Sequence, residues 1–374
     1  MKRVKPQALQ PGMVLAQDVF VKDEGDSAVL RTGNQLSERA IARLRGWNVE
    51  YVFVEGEEEL SPAAQMLRQA HSAVQPPPPV ITTELRQEAV NTLQRFFEGV
   101  SAVEGTQEVS AGMVENLNAV VDQLTDSLSL AKDSLVNIND LKQYDDYTYH
   151  HSLSVAVLSI GLAQQMGLPE GHIRPLGLCA IMHDIGKTAV PVEIIRKPSR
   201  LSDQEFSIIK THSAAGQKYL VNTDIGDEDI WRGVLHHHEK FDGTGYPDGL
   251  RGVDIPLWSR IISVADVYDA MTSNRPYRTP MQSSEAIEFI MGGAGVHFDF
   301  DIVSALVRKV SPYPVGSVVE LSTGAYALVL DCENQMRPIV ELLGSGKVAD
   351  LYRDRSMLSV VVKRLVPRDE LALA

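Results

Sequence analysis

The sequence has little cysteine, no long apolar run and a deficit of positive charge. Its 374 residues contain two cysteines, Cys179 and Cys332. That is too few for a disulfide framework or a cysteine-rich zinc module. Cys179 lies within the apolar stretch Leu176-Gly177-Leu178-Cys179-Ala180-Ile181-Met182 and reads as buried filler. No run of about 18 apolar residues occurs, so no membrane span is expected. The basic start Met1-Lys2-Arg3-Val4-Lys5-Pro6 has no apolar stretch behind it, which argues against a secretory signal. The expected location is therefore cytoplasmic. Thirty-five Lys and Arg against 49 Asp and Glu leave a net charge of −14. A field of that sign does not attract a nucleic-acid polymer, and an anionic ligand needs a local basic or metal-bearing site. Hydrophobic residues at 44% and charged residues at 22% are ordinary for a folded globular chain. The length suggests two or three domains.

The patterning divides the chain into four parts. Residues 1–60 read as a small α/β domain. Met13-Val14-Leu15-Ala16, Val19-Phe20-Val21 and Val49–Val54 are expected strands, and Ser37 is the expected N-cap of a helix through Leu44. Residues 61–143 hold a linker and a helical segment. The linker covers about 56–84 and includes Pro76–Pro79; beyond it, Leu117, Val120, Val121 and Leu124 mark a helical face. That segment either packs onto the helix-rich region after it or carries a homodimer. Residues 144–310 are helix-rich. One helix beginning near Thr148 places Val155, Leu158, Leu162 and Met166 on one face, and Ser202-Asp203-Gln204-Glu205 is a capping box that opens another. Residues 311–374 form a β-rich extension, with strands expected at Val318–Leu321, Ala327–Leu330 and Ser359–Val362.

Histidine is unevenly placed. Of ten, eight lie between His150 and His238. His151 falls on a helix, and His183-Asp184 ends an apolar helix. His212 lies in Lys210-Thr211-His212-Ser213, and His236-His237-His238-Glu239 is a continuous run. Asp266 sits on a later apolar helix. Taken singly, each has an ordinary structural explanation: a hydrogen-bonded core histidine, a solvated turn, a buried ion pair. Together they are too many polar groups to bury unpaired, at several kcal/mol each. Metal ions are the natural partners of neutral imidazoles and carboxylates. The donors exceed the first shell of one ion, so Asp184 is expected to bridge two. A nitrogen and oxygen set without thiolate suits iron, manganese or zinc. Two such ions would ready a bridging water for attack on phosphorus. Lys187 is placed to hold a phosphate or to protonate a leaving oxygen. The loop Asp242–Gly249 should border the site. Arg275 and Arg278, with Tyr277, are placed to hold phosphates and stack on a base.

These strings resemble the HD-GYP phosphodiesterases. The resemblance rests on Tyr147–Ser152, His183-Asp184-Ile185-Gly186-Lys187, His237-His238-Glu239 through Gly245-Tyr246-Pro247, and Ala265–Thr272 continuing into Arg275-Pro276-Tyr277-Arg278. It covers about 144–305. Residues 1 to about 130 resemble, more weakly, a small domain that often precedes such catalytic domains in bacteria.

The resemblance implies a mainly α fold: an HD-type helical bundle, here with a small N-terminal α/β domain and a short β-rich tail. It implies hydrolysis of cyclic di-GMP to pGpG and onward to GMP, with two divalent ions, iron or manganese. The family's ligand positions fall on His151, His183, Asp184, His212, His237, His238 and Asp266. His151, His183 and Asp266 are assigned to one ion and His212, His237 and His238 to the other, with Asp184 shared. Lys187 and Asp184 carry the catalytic positions, and Lys187, Arg275 and Arg278 contact the substrate. Counting back from Glu239 leaves His236 outside the set. Some relatives have a glutamate four residues before the first ligand histidine and bind a third ion; Tyr147 stands there in this chain, so two ions are expected, the alternative being a third held by Asp145 or Asp146. Other readings are a metallophosphohydrolase of a different nucleotide, or a non-cleaving cyclic di-GMP sensor with signalling protein partners.

Overall fold

The computed structural model describes residues 2–20, 29–47, 49, 51–55, 79–101, 111–130, 147–197, 199–223, 225–273, 280–332 and 336–366. The chain divides into two units, Met1–Ala73 with 342–347 and 366–374, and Val74–Glu341 with 348–365.

In the first unit, β1 (Lys2–Val4) pairs antiparallel with β2 (Val52–Val54). Helix α1 (Glu38–Gly46) starts at Ser37, whose hydroxyl accepts a hydrogen bond from the Ala40 amide at 3.2 Å, as its cap position predicts. Leu15, Leu36, Leu44, Val52 and Val54 fill a small core. The expected strands at 13–16 and 19–21 do not form. Only single bridges join Val14 to Gln35, Leu15 to Val54 and Val19 to Leu30. Gly12, at φ +95°, turns the chain just before this segment, and a bend comes at Ala16-Gln17. Asp18 then binds the Thr32 amide and hydroxyl through its side chain. Too little straight backbone remains for a ladder. Val21 lies outside the described residues, and the strand expected from Val49 is confined to Val52–Val54.

The second unit is built on helices. They are α2 (Thr83–Ser101), α3 (Ala111–Leu130), α4 (Tyr147–Gln165), α5 (Glu170–Ile181), the single turn α6 (Val192–Ile195), α7 (Asp203–Asn222), α8 (Glu228–His236), α9 (Leu257–Thr272), α10 (Ser283–Gly292) and α11 (Phe300–Lys309). One continuous hydrophobic core joins all of them but α6, which has no buried residue. Helix α4 is its axis: every residue from His151 to Gln164 is buried. The expected apolar face on this helix is thus a fully buried circumference, as befits a helix enclosed by others, with His151, Ser152, Ser154, Ser159 and Gln164 as its polar members.

On α3, Leu117, Val120, Val121, Leu124 and Leu128 are buried in the same core. Gly177 of α5 admits Val121 and Ile160, since a Cβ there would stand about 3 Å from both. The apolar stripe of α3 is therefore occupied within the chain. The capping box at α7 forms as predicted: the Ser202 hydroxyl accepts from the Glu205 amide, and the Glu205 carboxylate accepts from the Ser202 amide. Among the described residues, no helix is long and apolar enough to cross a membrane.

The C-terminal part carries β3 (Val318–Leu321), β4 (Tyr326–Asp331), β5 (Ile339–Leu342), β6 (Lys347–Asp350) and β7 (Val362–Leu365), in the sheet order β6-β5-β4-β3-β7. The fold is mainly α with a β-rich tail. The last strand starts at Val362, not Ser359. The Arg337 guanidinium donates to the carbonyls of Met357, Leu358 and Val360, which holds that stretch away from the ladder.

Candidate metal centre

The predicted donors reach one place from five parts of the second unit. His151 is in the second turn of α4. His183 and Asp184 lie just beyond α5, whose C-cap is Met182. His212 projects from the middle of α7. His237 caps the C-terminus of α8, and His238 is the next residue. Asp266 is on α9.

Glycine sets the approach of two of these parts. After Asp184, Ile185–Ala189 forms a 3-10 turn that lies against α7. A Cβ on Gly186 would overlap the His212 carbonyl oxygen and the Gly216 amide nitrogen. The turn can touch α7 only because residue 186 has no side chain, and that contact sets Asp184 opposite His212.

The donors sort into two groups, each with its ligand atoms within 4.8 Å of one another: Asp184, His212, His237 and His238, and His151, His183 and Asp266. Asp184 faces both. Its Oδ2 lies 3.3 Å from His183 Nε2 and 3.7 Å from His151 Nε2. Its Oδ1 lies 3.4 Å from His212 Nε2 and 4.0 Å from His237 Nε2. His236, although buried, stands outside both groups, with Nδ1 3.7 Å from Glu239.

Hydrogen bonds fix how the rings point. The Nδ1 atoms of His183, His212 and His237 each donate to the carbonyl three residues earlier, those of Ala180, Ile209 and Val234, at 2.6–2.7 Å. A carbonyl only accepts, so Nδ1 carries the proton and Nε2 presents a lone pair to the centre. His212 Nε2 and His237 Nε2 then face each other at 3.3 Å with no proton between them. His183 Nε2 and Asp184 Oδ1 are buried without a hydrogen-bond partner. Opposed lone pairs and an orphaned carboxylate oxygen are the donor set that a cation satisfies. The residues fit two divalent ions.

The acid–base balance agrees. Burial holds His237 well below its ordinary pKa, with His238 adding to the effect, and burial brings His238 down to about 3. Burial also lowers His212. Burial opposes charge on Asp184, yet Lys187 and then His183 hold its carboxyl well below the usual range. For His151, burial is outweighed by Asp266 and Asp269, which raise it to about 9. Neutral His212, His237 and His238 beside an ionised Asp184 are in the protonation states that metal binding requires, whereas His151, kept protonated by its two carboxylates, would release a proton on ligating an ion.

The other predicted residues border the centre or lie outside the described chain. Lys187 Nζ donates to Asp184 Oδ2 at 2.5 Å, so its charge is at the centre. The loop 242–249 borders the site: Tyr246 stacks on His238 with ring centroids 4.8 Å apart. Arg275 and Arg278 lie outside the described residues, as do Asp145 and Asp146. Two contributors lie within the quoted motif strings but are given no role there. Asp269, fully buried one turn beyond Asp266, binds His151 Nδ1 at 2.7 Å. Its spacing of three residues from Asp266 on one helix face is the signal that could have found it. Glu239, also buried, accepts from the Asp248 amide at 2.8 Å and ties down the loop.

Residues 127–302 match the family model described as HD domain. The chain is 41% identical to "Cyclic di-GMP phosphodiesterase PA4108" of Pseudomonas aeruginosa over 57% of this chain and 51% of that protein. It is 32% identical to "Cyclic di-GMP phosphodiesterase response regulator RpfG" of Xanthomonas campestris over 62% and 60%. Residues 127–302 therefore carry an HD domain. The chain is also 35% identical to "3'3'-cGAMP-specific phosphodiesterase 1" of Vibrio cholerae, over 50% of this chain and 43% of that protein. The chain thus spans about half the length of the curated relatives it matches. Every donor of the two groups lies within the HD domain.

Proposed function

We propose that the chain is a metal-dependent phosphodiesterase that cleaves cyclic di-GMP to pGpG and onward to GMP. The observation that carries this reading is the placement of Asp184, with one carboxylate oxygen toward each group of donors. His151, His183 and Asp266 would hold one divalent ion and His212, His237 and His238 the other, with Asp184 shared. Iron or manganese is the proposed pair, as the resemblance to the HD-GYP phosphodiesterases implies, and the nitrogen and oxygen donors without thiolate suit either. Such ions, when bound, polarise phosphoryl oxygens and lower the pKa of water.

The chain's own groups do the rest. Backbone carbonyls of Ala180, Ile209 and Val234 keep three imidazoles in the tautomer that turns Nε2 inward. Asp269 fixes His151 in the same way. Lys187 brings an ammonium, hydrogen bonded to Asp184, to the edge of the centre, where it is placed to give a proton to the departing ribose oxygen. Arg275 and Arg278 are proposed to hold the nucleotide. In a chain of net charge −14, these local cations are what make the site attractive to an anion.

The name of the Vibrio cholerae relative supports a second substrate, 3',3'-cGAMP. The deciding experiment incubates the metal-loaded protein with cyclic di-GMP, 3',3'-cGAMP and linear pGpG, with iron and with manganese. Linear product from cyclic di-GMP, abolished in Asp184→Ala together with bound metal, is expected. Intact cyclic di-GMP beside cleaved 3',3'-cGAMP would replace the substrate, and binding of cyclic di-GMP without turnover would favour a sensor.

A further inference from the structure

A line of four side chains runs outward from the candidate metal centre. The Tyr246 ring lies on the His238 ring, tilted by 29°. Lys210 Nζ stands 5.4 Å from the centroid of Tyr246 and 4.8 Å from that of Phe206. Lys210 is on α7, two residues before His212, and Phe206 is one turn earlier on the same helix, with 46% of its surface exposed. Lys187 is held by Asp184. Lys210 has no carboxylate partner among the described residues, and its ammonium rests against two rings instead.

We propose that Lys210 binds the second phosphate of a cyclic dinucleotide, the one not being cut, and that the exposed ring of Phe206 receives a base. The inference rests on the phosphodiesterase reading of the site. A cyclic dinucleotide carries two phosphodiesters. When one is at the metal centre, the other must lie elsewhere on a protein of strongly negative charge. The two rings stabilise the Lys210 cation through their faces but accept no conventional hydrogen bond from it. All three N–H donors stay available for phosphate oxygens. An exposed ring beside a cation is also the pairing that single nucleotides use for stacking and charge together. Lys210 shares α7 with His212 and rests on the ring that stacks on His238, so its ammonium is held at a set place beside the centre.

The test uses the metal-loaded full chain. Lys210→Gln should raise KM for cyclic di-GMP at least tenfold while kcat changes less than twofold. Hydrolysis of bis(p-nitrophenyl) phosphate, which has one phosphodiester and no base, should be unchanged. Lys210→Arg should restore most of the affinity, and Phe206→Ala should weaken cyclic di-GMP alone. Calorimetric titration with a cleavage-resistant phosphorothioate analogue of cyclic di-GMP should show the same tenfold loss in Lys210→Gln. An unchanged KM and unchanged analogue affinity would overturn the inference. An equal loss on bis(p-nitrophenyl) phosphate would also overturn it, because Lys210 would then act on the centre through His212. If the unsubstituted protein binds the analogue but cleaves no cyclic dinucleotide, the phosphodiesterase reading fails, and the calorimetry still decides the role of Lys210.

Discussion

His151 and Asp269 meet in the core at 2.7 Å, Nδ1 against carboxylate, with the opposite nitrogen of the ring turned 3.1 Å from Asp266. One imidazole is thus held between two acids on the same face of α9. Asp266 stands on the side of the candidate ions and Asp269 behind it. Carboxylate behind histidine raises the basicity of the nitrogen that faces a metal and fixes its direction.

Replacing Asp269 with Asn keeps the shape and removes the charge. Metal affinity should fall about 10- to 100-fold, the usual cost of losing such a partner. A competition titration against a fluorescent chelator measures it. Far-ultraviolet circular dichroism should not change. Undiminished affinity would show that Asp269 only fills space.

Lys187→Gln should retain both ions and lose turnover, by about 100-fold if the ammonium transfers a proton to the leaving oxygen. Metal analysis and steady-state kinetics on the same preparation separate the two effects. Loss of metal together with activity would instead make Lys187 a structural counterion of Asp184, to which it is hydrogen bonded.

The chelator-treated protein should lose stability as the pH falls below 6.5. His238 titrates near 6.5 when unfolded and at about 3 in the fold, and His237 and His212 are lowered in the same direction. Between those values the unfolded chain binds a proton that folded His238 refuses, so acid favours unfolding, by about 1.4 kcal/mol per pH unit from His238, and His237 and His212 act in the same direction. His151 works oppositely. Its value of about 9 gives a contribution that is complete below 6.5 and is lost as the pH rises through 9. Urea midpoints from pH 5 to 8 test this, and His238→Gln should flatten the acid limb.

Gly186→Ala should cost about 1–3 kcal/mol, the range for forcing atoms into a packed core. It should also disturb metal binding, because the new methyl meets backbone atoms of α7 at His212 and Gly216. Gly216→Ala meets side chains first, chiefly Val234, which can shift, and should be milder. Thermal unfolding of both variants gives the order, and equal losses would contradict the contact.

The sequence made the helical bundle and its donors visible because their signals are local and chemical. The capping box at Ser202 needs four residues, and the clustered histidines need only their positions. What escaped depends on partners far away. The segment around Leu15 has the composition of a strand, but turns on both sides leave it single bridges. The stretch before Val362 also has strand composition, yet Arg337, more than twenty residues earlier, takes its carbonyls. Asp269 could be placed near Asp266 by spacing, but only the meeting of α4 and α9 shows which histidine nitrogen it holds.

The three imidazoles that donate to their own helices share a further property. Each ring is referenced to the backbone of the turn that carries it, not to a neighbouring side chain. Small sliding motions of one helix past another therefore carry the ligand bodily, without rotating it in its socket. A displacement of α7 or α8 would therefore move His212 or His237 relative to His151, His183 and Asp266, and the spacing of the donor groups follows how the bundle is assembled.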